Sequence, residues 1–304
     1  MLNTPVLFLI FNRPDTTDKV FNAIRKAQPK HLYVAADGPR VGNVTDMELC
    51  NSTKQIIDKV DWPCEVKTLY RTTNLGCGKA VSEAITWFFN QVEYGIVLED
   101  DCLPEGSFFE FCETMLIKYK DDSSKAVVCG TNYLYTGIKE FNDDYFLSKF
   151  SPIWGWASWS RVINKIEWDV DKLRPMYDES SFVILFKEND KIATWLYSII
   201  KLTFENKLDT WDTIFVYNLI LSKTKNIVPI KNQISNIGNL GTHTSNDSTP
   251  NLFAQTYEIK FSNNLNCRTD SLYKVTMYKN IEDIVFPKSS IYSRIKDLVS
   301  KLCR

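Results

Sequence analysis

The residues with the plainest chemistry are Glu99-Asp100-Asp101, which close the apolar run from Tyr94 to Leu98. Three adjacent carboxylates repel one another, so holding them together at a strand end costs stability unless a cation neutralises them. A hard divalent cation does this well, since Mn²⁺ or Mg²⁺ takes carboxylate oxygens and is shared with substrate phosphates. The competing reading is a solvated loop whose last acid helps start the helix near Glu105.

Other residue groups could act on the same ligand. Asn12-Arg13 and Asp37-Gly38 each follow a short apolar run, and Arg71 and Asn74 lead into Asn74-Leu75-Gly76-Cys77-Gly78, where Gly78 lets backbone approach a ligand before a helix. Each has a plain alternative: Asp37-Gly38-Pro39 is an ordinary turn, and Asn12-Arg13-Pro14-Asp15 is a helix start. The Gly78-Lys79 step is no phosphate loop, because position 73 is Thr and position 80 is Ala. Trp154-Gly155-Trp156-Ala157-Ser158-Trp159 gathers three of the eight tryptophans. Indoles there either stack on sugar rings, with Trp154 and Trp156 on the acceptor side, or build core.

These residues need elements to position them. Val6–Phe11, His31–Ala36, Cys64–Arg71, Tyr94–Leu98 and Ala126–Cys129 read as strands. Helical spacing separates them over Thr16–Ala27, Asp46–Val60, Lys79–Val92 and Phe108–Tyr119. That alternation predicts an α/β fold with a mostly parallel sheet flanked by helices. Ligands of such sheets bind beyond the carboxyl ends of the strands, where all four polar segments fall.

Residues 1–130 therefore read as the ligand-binding α/β half and 131–252 as a second half of the same domain. Residues 253–304 read as a C-terminal helical and loop extension. Residues 132–175 look loop-like, with one antiparallel strand at Tyr145–Lys149, followed by helices at Lys191–Glu205 and Trp211–Leu221 and a strand at Asn226–Ile230. Ser290–Arg304 places Ile291, Ile295, Leu298 and Leu302 on one face beside basic residues. It either packs on its own domain or contacts a membrane surface peripherally.

Composition removes whole classes. In 304 residues, 36 basic side chains face 37 acidic ones, which supplies no field for nucleic acid. Eight scattered cysteines without a C-x-x-C pair, and only two histidines, argue against structural zinc and for a reducing, cytoplasmic setting. No run reaches the roughly 18 apolar residues of a membrane span.

Together, Phe11-Asn12-Arg13-Pro14, Ala36-Asp37-Gly38-Pro39-Arg40, Asn74 to Gly78, Leu98 to Pro104 and Trp154 to Trp159 resemble GT-A glycosyltransferases of bacterial polysaccharide and O-antigen synthesis. The acidic triplet is also similar to that of the animal N-acetylglucosaminyltransferase of complex N-glycan synthesis. The resemblance implies a Rossmann-like GT-A sheet and a nucleotide-sugar donor. It further implies a glycan or lipid-linked saccharide acceptor, and Mn²⁺ or Mg²⁺ held by Asp101 and by His243 from a late loop. Asp100 would meet the ribose or metal shell, and Glu99 the sugar hydroxyls. Asp37, Asn12, Arg13, Arg71 and Asn74 would surround the nucleotide. Asp212, with Asp209 as fallback, would be the base of an inverting transfer, although both also suit an ordinary helix start. A sugar-1-phosphate nucleotidyltransferase and a non-catalytic nucleotide-sugar-binding protein are the rival readings. The first fits poorly because Asn12-Arg13-Pro14-Asp15 carries no glycine.

Overall fold

The computed structural model describes residues 1–132, 144–176, 190–238, 256–259 and 267–268. β1 (Val6–Ile10) leads to α1 (Pro14–Ala27), β2 (His31–Ala36) to α2 (Val44–Gln55) and β3 (Glu65–Tyr70) to α3 (Cys77–Phe89). β4 (Tyr94–Glu99) passes through the short β5 (Cys102–Pro104) to α4 (Gly106–Lys118). Then come β6 (Lys125–Cys129), β7 (Tyr145–Ser148), β8 (Trp156–Trp159), α5 (Ser160–Ile163) and α6 (Val170–Leu173). α7 (Asp190–Phe204), α8 (Asp212–Ser222), β9 (Lys225–Pro229), β10 (Ile234–Asn236) and β11 (Cys267–Arg268) complete the described elements.

Nine of these strands form one mixed, mostly parallel sheet in the order β11-β7-β9-β6-β8-β4-β1-β2-β3, and β10 pairs with β5 in a separate ribbon. The central strands are apolar throughout because helices cover both faces. Leu7 and Leu9 of β1 join Phe88 and Phe89 of α3 on one side. Val6, Phe8 and Ile10 join Val20, Phe21 and Ile24 of α1 on the other. Pro14 opens α1, where its missing N–H costs nothing, and Gln28 in the left-handed region (φ 51°) ends it. β1, β2 and β4 run parallel, so their carboxyl ends open on one edge.

One expectation is corrected here. Residues 156–159 form no loop: β8 lies antiparallel between β4 and β6 in the middle of the sheet. Trp-Ala-Ser-Trp shows no alternation because both of its faces are buried, and Ser158 is accommodated by donating its hydroxyl to the Ala126 carbonyl at 2.6 Å. The acidic triplet runs on into β5, whose partner β10 returns along it in the register Ile234↔Pro104 and Asn236↔Cys102. Residues 290–304 and His243 lie outside the described residues, and among the described ones no helix is long and apolar enough to cross a membrane.

Candidate active site

The carboxyl ends of β1, β2 and β4 and the start of α3 enclose a cavity of about 300 Å³. Arg13, Arg40 and Arg71 line it together with Asp37, Glu99, Asp100, Asn74 and Asp209. The sheet edge singled out from sequence thus brings Arg13, Asp37, Arg71, Asn74, Glu99 and Asp100 to one space.

Glu99 is the last residue of β4, paired in register with Leu9. Burial pushes its carboxyl up to about 8, helped by the charges of Asp101, Asp212 and Asp100 and opposed by Arg13. Asp100 is 2% exposed and accepts the Phe11 N–H at 3.2 Å. Burial lifts it to about 6, against the pull of Arg13.

Arg13 spans the neighbouring carboxylates: one terminal nitrogen bonds Asp100 Oδ1 and the other bonds Asp101 Oδ2 at 2.9 Å. Burial works against the guanidinium's charge, but Asp100 and Asp101 outweigh it and raise its pKa above the ordinary arginine value. The first loop therefore supplies one positive charge shared by two carboxylates of the triplet.

Asp101 does not line the ligand space. Its Oδ2 meets Arg13, its Oδ1 accepts the Cys102 thiol at 3.5 Å, and its carbonyl accepts the Ile237 N–H at 2.8 Å. The backbone after β10 closes over it so tightly that a methyl group on Gly238 would lie 2.5 Å from Asp101 Oδ2. The described residues therefore do not fit a divalent cation. Asp100 and Asp101 are engaged by a guanidinium, and no three His, Cys, Asp or Glu side chains converge among the described residues. That departs from the expectation of Asp101 as a metal ligand, and His243, its expected companion, lies outside the described residues.

The other expected nucleotide contacts are braces as well as cavity walls. Asp37 accepts the N–H groups of Gly38 at 2.9 Å and Leu75 at 3.0 Å, while Asn74 Nδ2 donates to the Gly38 carbonyl at 2.9 Å. Burial raises the Asp37 pKa, and those N–H donors and Arg71 oppose the shift. Asn12 does not line the cavity; its Nδ2 donates to Asp46 at 2.8 Å. Asp46 is buried on α2 and held down to about 2, first by the Arg40 side chain and despite burial. Neither Asp46 nor the Arg40 pairing was assigned a role from sequence, because the two join only once the loop before α2 has turned. Arg71 bonds Glu83 of α3 at 3.0 Å.

Asp209 and Asp212, the expected bases, do different things. Asp209 accepts the backbone N–H groups of Cys77 and Gly78, both at 2.9 Å. It caps α3, whose own N-cap is the side-chain-less Gly76 (φ 83°). The glycines of that loop thus make room for a carboxylate: a methyl on Gly76 or Gly78 would lie 2.4 or 2.6 Å from Asp209 oxygens. Gly78 is turned to Asp209 and does not line the first cavity. Asp212 heads α8, and its Oδ1 accepts the Thr210 hydroxyl at 2.5 Å and the Thr213 N–H at 2.6 Å. Its charge reaches both Glu99 and Cys77, although Asp212 itself lines neither this cavity nor the one beside Trp168.

Trp156 is corrected as an acceptor contact. It is 1% exposed, packed among Phe89, Trp211 and Phe215 with ring centres 6.2, 6.0 and 4.9 Å away. Trp154 is half-buried against the opposite core. An indole that does line open space among the described residues is Trp168, which no motif marks because it stands alone in sequence. It borders a second cavity of about 430 Å³ with Asn206, Thr210 and Asp209. Asp209 lines both cavities.

The fold and site define an α/β protein with an arginine-lined crevice, its walls largely apolar, at the carboxyl edge of its sheet. No family model matches the chain, and no curated protein is similar to it in sequence. Among solved structures, it is similar to 4-diphosphocytidyl-2C-methyl-D-erythritol synthase from Anaerococcus prevotii DSM 20548, at 10% identity and a TM-score of 0.39 over 74% of this chain and 88% of that one. It is also similar to HddC from Yersinia pseudotuberculosis, at 9% identity and a TM-score of 0.33 over 55% of this chain and 81% of that one. At those scores neither carries an argument about chemistry.

Proposed function

We propose that the protein is a glycosyltransferase that moves a sugar from a nucleoside-diphosphate donor to a saccharide hydroxyl. The observation that carries this reading is the convergence of Arg13, Arg40, Arg71, Glu99 and Asp37 on one cavity, with Asp212 in electrostatic reach of Glu99. Guanidinium groups suit the diphosphate, and Asp37 suits the base or ribose. A carboxyl whose acidity burial has weakened, as in Glu99, suits hydrogen-bond donation beside a sugar. In this reading Asp212 takes the proton of the acceptor hydroxyl as its oxygen attacks the anomeric carbon. The bond from that carbon to the diphosphate breaks, and its electron pair leaves with the nucleoside diphosphate. Glu99, neutral at pH 7, donates a hydrogen bond to the sugar. The acceptor enters from the second cavity, where the Trp168 indole offers a face for a sugar ring.

The loop after β1 favours glycosyl over nucleotidyl transfer. Only residues 11–13 separate β1 from α1, and none is glycine, which leaves little backbone to wrap a triphosphate. Incubation with a panel of nucleotide sugars and oligosaccharide acceptors tests the reading: release of nucleoside diphosphate matched by a glycosylated product is expected. Pyrophosphate release from a nucleoside triphosphate and a sugar-1-phosphate would replace it with nucleotidyl transfer. Tight nucleotide-sugar binding without turnover would replace it with a binding protein.

A further inference from the structure

The cation demanded by the acidic triplet is already part of the chain. We infer that Arg13 takes the place of the divalent cation: the centre at Asp100 and Asp101 binds no Mn²⁺ or Mg²⁺, and the cavity takes a nucleoside diphosphate without metal. The second clause rests on the proposed donor site; the first does not.

Three observations lead there. Arg13 reaches Asp100 and Asp101 at once, so a metal ion would have to expel a bidentate guanidinium before finding a carboxylate oxygen. Asp101 also accepts the Cys102 thiol and lies against the Gly238 backbone, its side chain is 16% exposed, and it does not line the cavity. Replacing Arg13 would also leave the 2%-exposed Asp100 as a buried, unpaired charge, which makes the pair self-reinforcing.

The phosphates of a ligand still need positive partners. The N-terminus of α3, a natural anion receptor, is filled by the Asp209 carboxylate. What remains facing the cavity is guanidinium: Arg13, with N–H donors beyond the two given to the carboxylates, and Arg40 and Arg71.

Two measurements on the full chain decide the matter. In the first, Mn²⁺ is titrated into the protein without nucleotide and followed by its electron paramagnetic resonance signal. The wild type is expected to leave the free-ion signal undiminished, and Arg13→Gln to bind Mn²⁺ through the carboxylates it no longer occupies. Arg13→Lys, which keeps a cation there, is expected to behave as wild type if Arg13→Gln does not fold. Stoichiometric Mn²⁺ binding by the wild type, lost in Asp101→Asn, overturns the inference. In the second, UDP, GDP and CDP are titrated calorimetrically in EDTA and in excess MgCl₂. Dissociation constants within about twofold of each other are expected, since metal adds no contact. Binding that requires Mg²⁺ overturns the inference. Absence of binding in either condition defeats the donor reading and leaves the Mn²⁺ titration to judge Arg13.

Discussion

The carboxylate of Asp209 caps a helix that begins more than 130 residues earlier in the chain, taking the N–H groups of Cys77 and Gly78 at 2.9 Å each. This cap joins the segment before α8 to the loop after β3, and Asp209 stands between the two cavities. Asp209→Ala should cost about 0.5–2 kcal/mol, the usual range for a lost cap. Urea denaturation checks it, and Gly78→Ala, whose methyl would press on Asp209, should destabilise in the same direction. A stability unchanged in Asp209→Ala would remove the cap as a feature of the protein in solution.

Asp212 carries a separate expectation. Asp212→Asn keeps the shape of the α8 start but removes the acceptor of a proton. Turnover of the donor onto an acceptor should fall by about 10²–10⁴-fold, the range of general-base catalysis. Nucleoside-diphosphate affinity, measured by calorimetry, should stay put. Equal losses in both would make Asp212 a binding residue.

The pair Glu99 and Asp100 gives the protein a definite pH dependence. Burial raises Glu99 from 4.5 to about 8, and Asp100 from 3.8 to about 6. Between each pair of values the folded chain holds a proton that the unfolded chain has released. Stability from these groups is therefore full below the unfolded value and declines as pH rises through the folded one. Glu99→Gln should flatten the decline between pH 4.5 and about 8, read from urea midpoints across that window. A decline of unchanged slope in the variant would show that Glu99 is not its source.

The two indoles Trp156 and Trp168 should separate cleanly. Trp156→Ala empties a fully enclosed position and should cost about 3–5 kcal/mol. Trp168, half-buried and stacked on Phe215 with centroids 6.1 Å apart, should lose less stability when replaced by alanine. Its loss should raise the acceptor KM while donor affinity holds. Steady-state kinetics with either substrate varied distinguish the outcomes, and a raised donor KM alone would move the acceptor elsewhere.

The first half of the sheet was legible because β1, β2 and β4 are uninterrupted apolar runs bounded by polar or glycine-bearing loops. Their common carboxyl edge followed from the topology of parallel strands, and with it the place of Asp37, Glu99 and Arg71. β8 is hidden because it is only four residues long, a serine interrupts its apolar run, and its two tryptophans mimic a binding motif. The partnerships were beyond reach for another reason. Arg13 with Asp100 spans 87 positions and Asp209 with Gly78 spans 131, and charge or capping propensity names neither mate. The glycines at 76 and 78 stand out in the sequence, whereas nothing there marks Asp209 as the carboxylate they make room for.

The central place of β8 bears on how the chain is made. Its residues 156–159 reach the ribosome exit well after β4 and β6, yet they fill the gap between those two strands. During synthesis the β4 edge, Gly-Ile-Val-Leu, stays open until that segment emerges, as does the facing edge of β6. Open apolar edges recruit other strands, so the nascent protein passes through a window in which self-association competes with completion. A chain stalled or cleaved before residue 156 is stranded in that window, and aggregation is its expected fate.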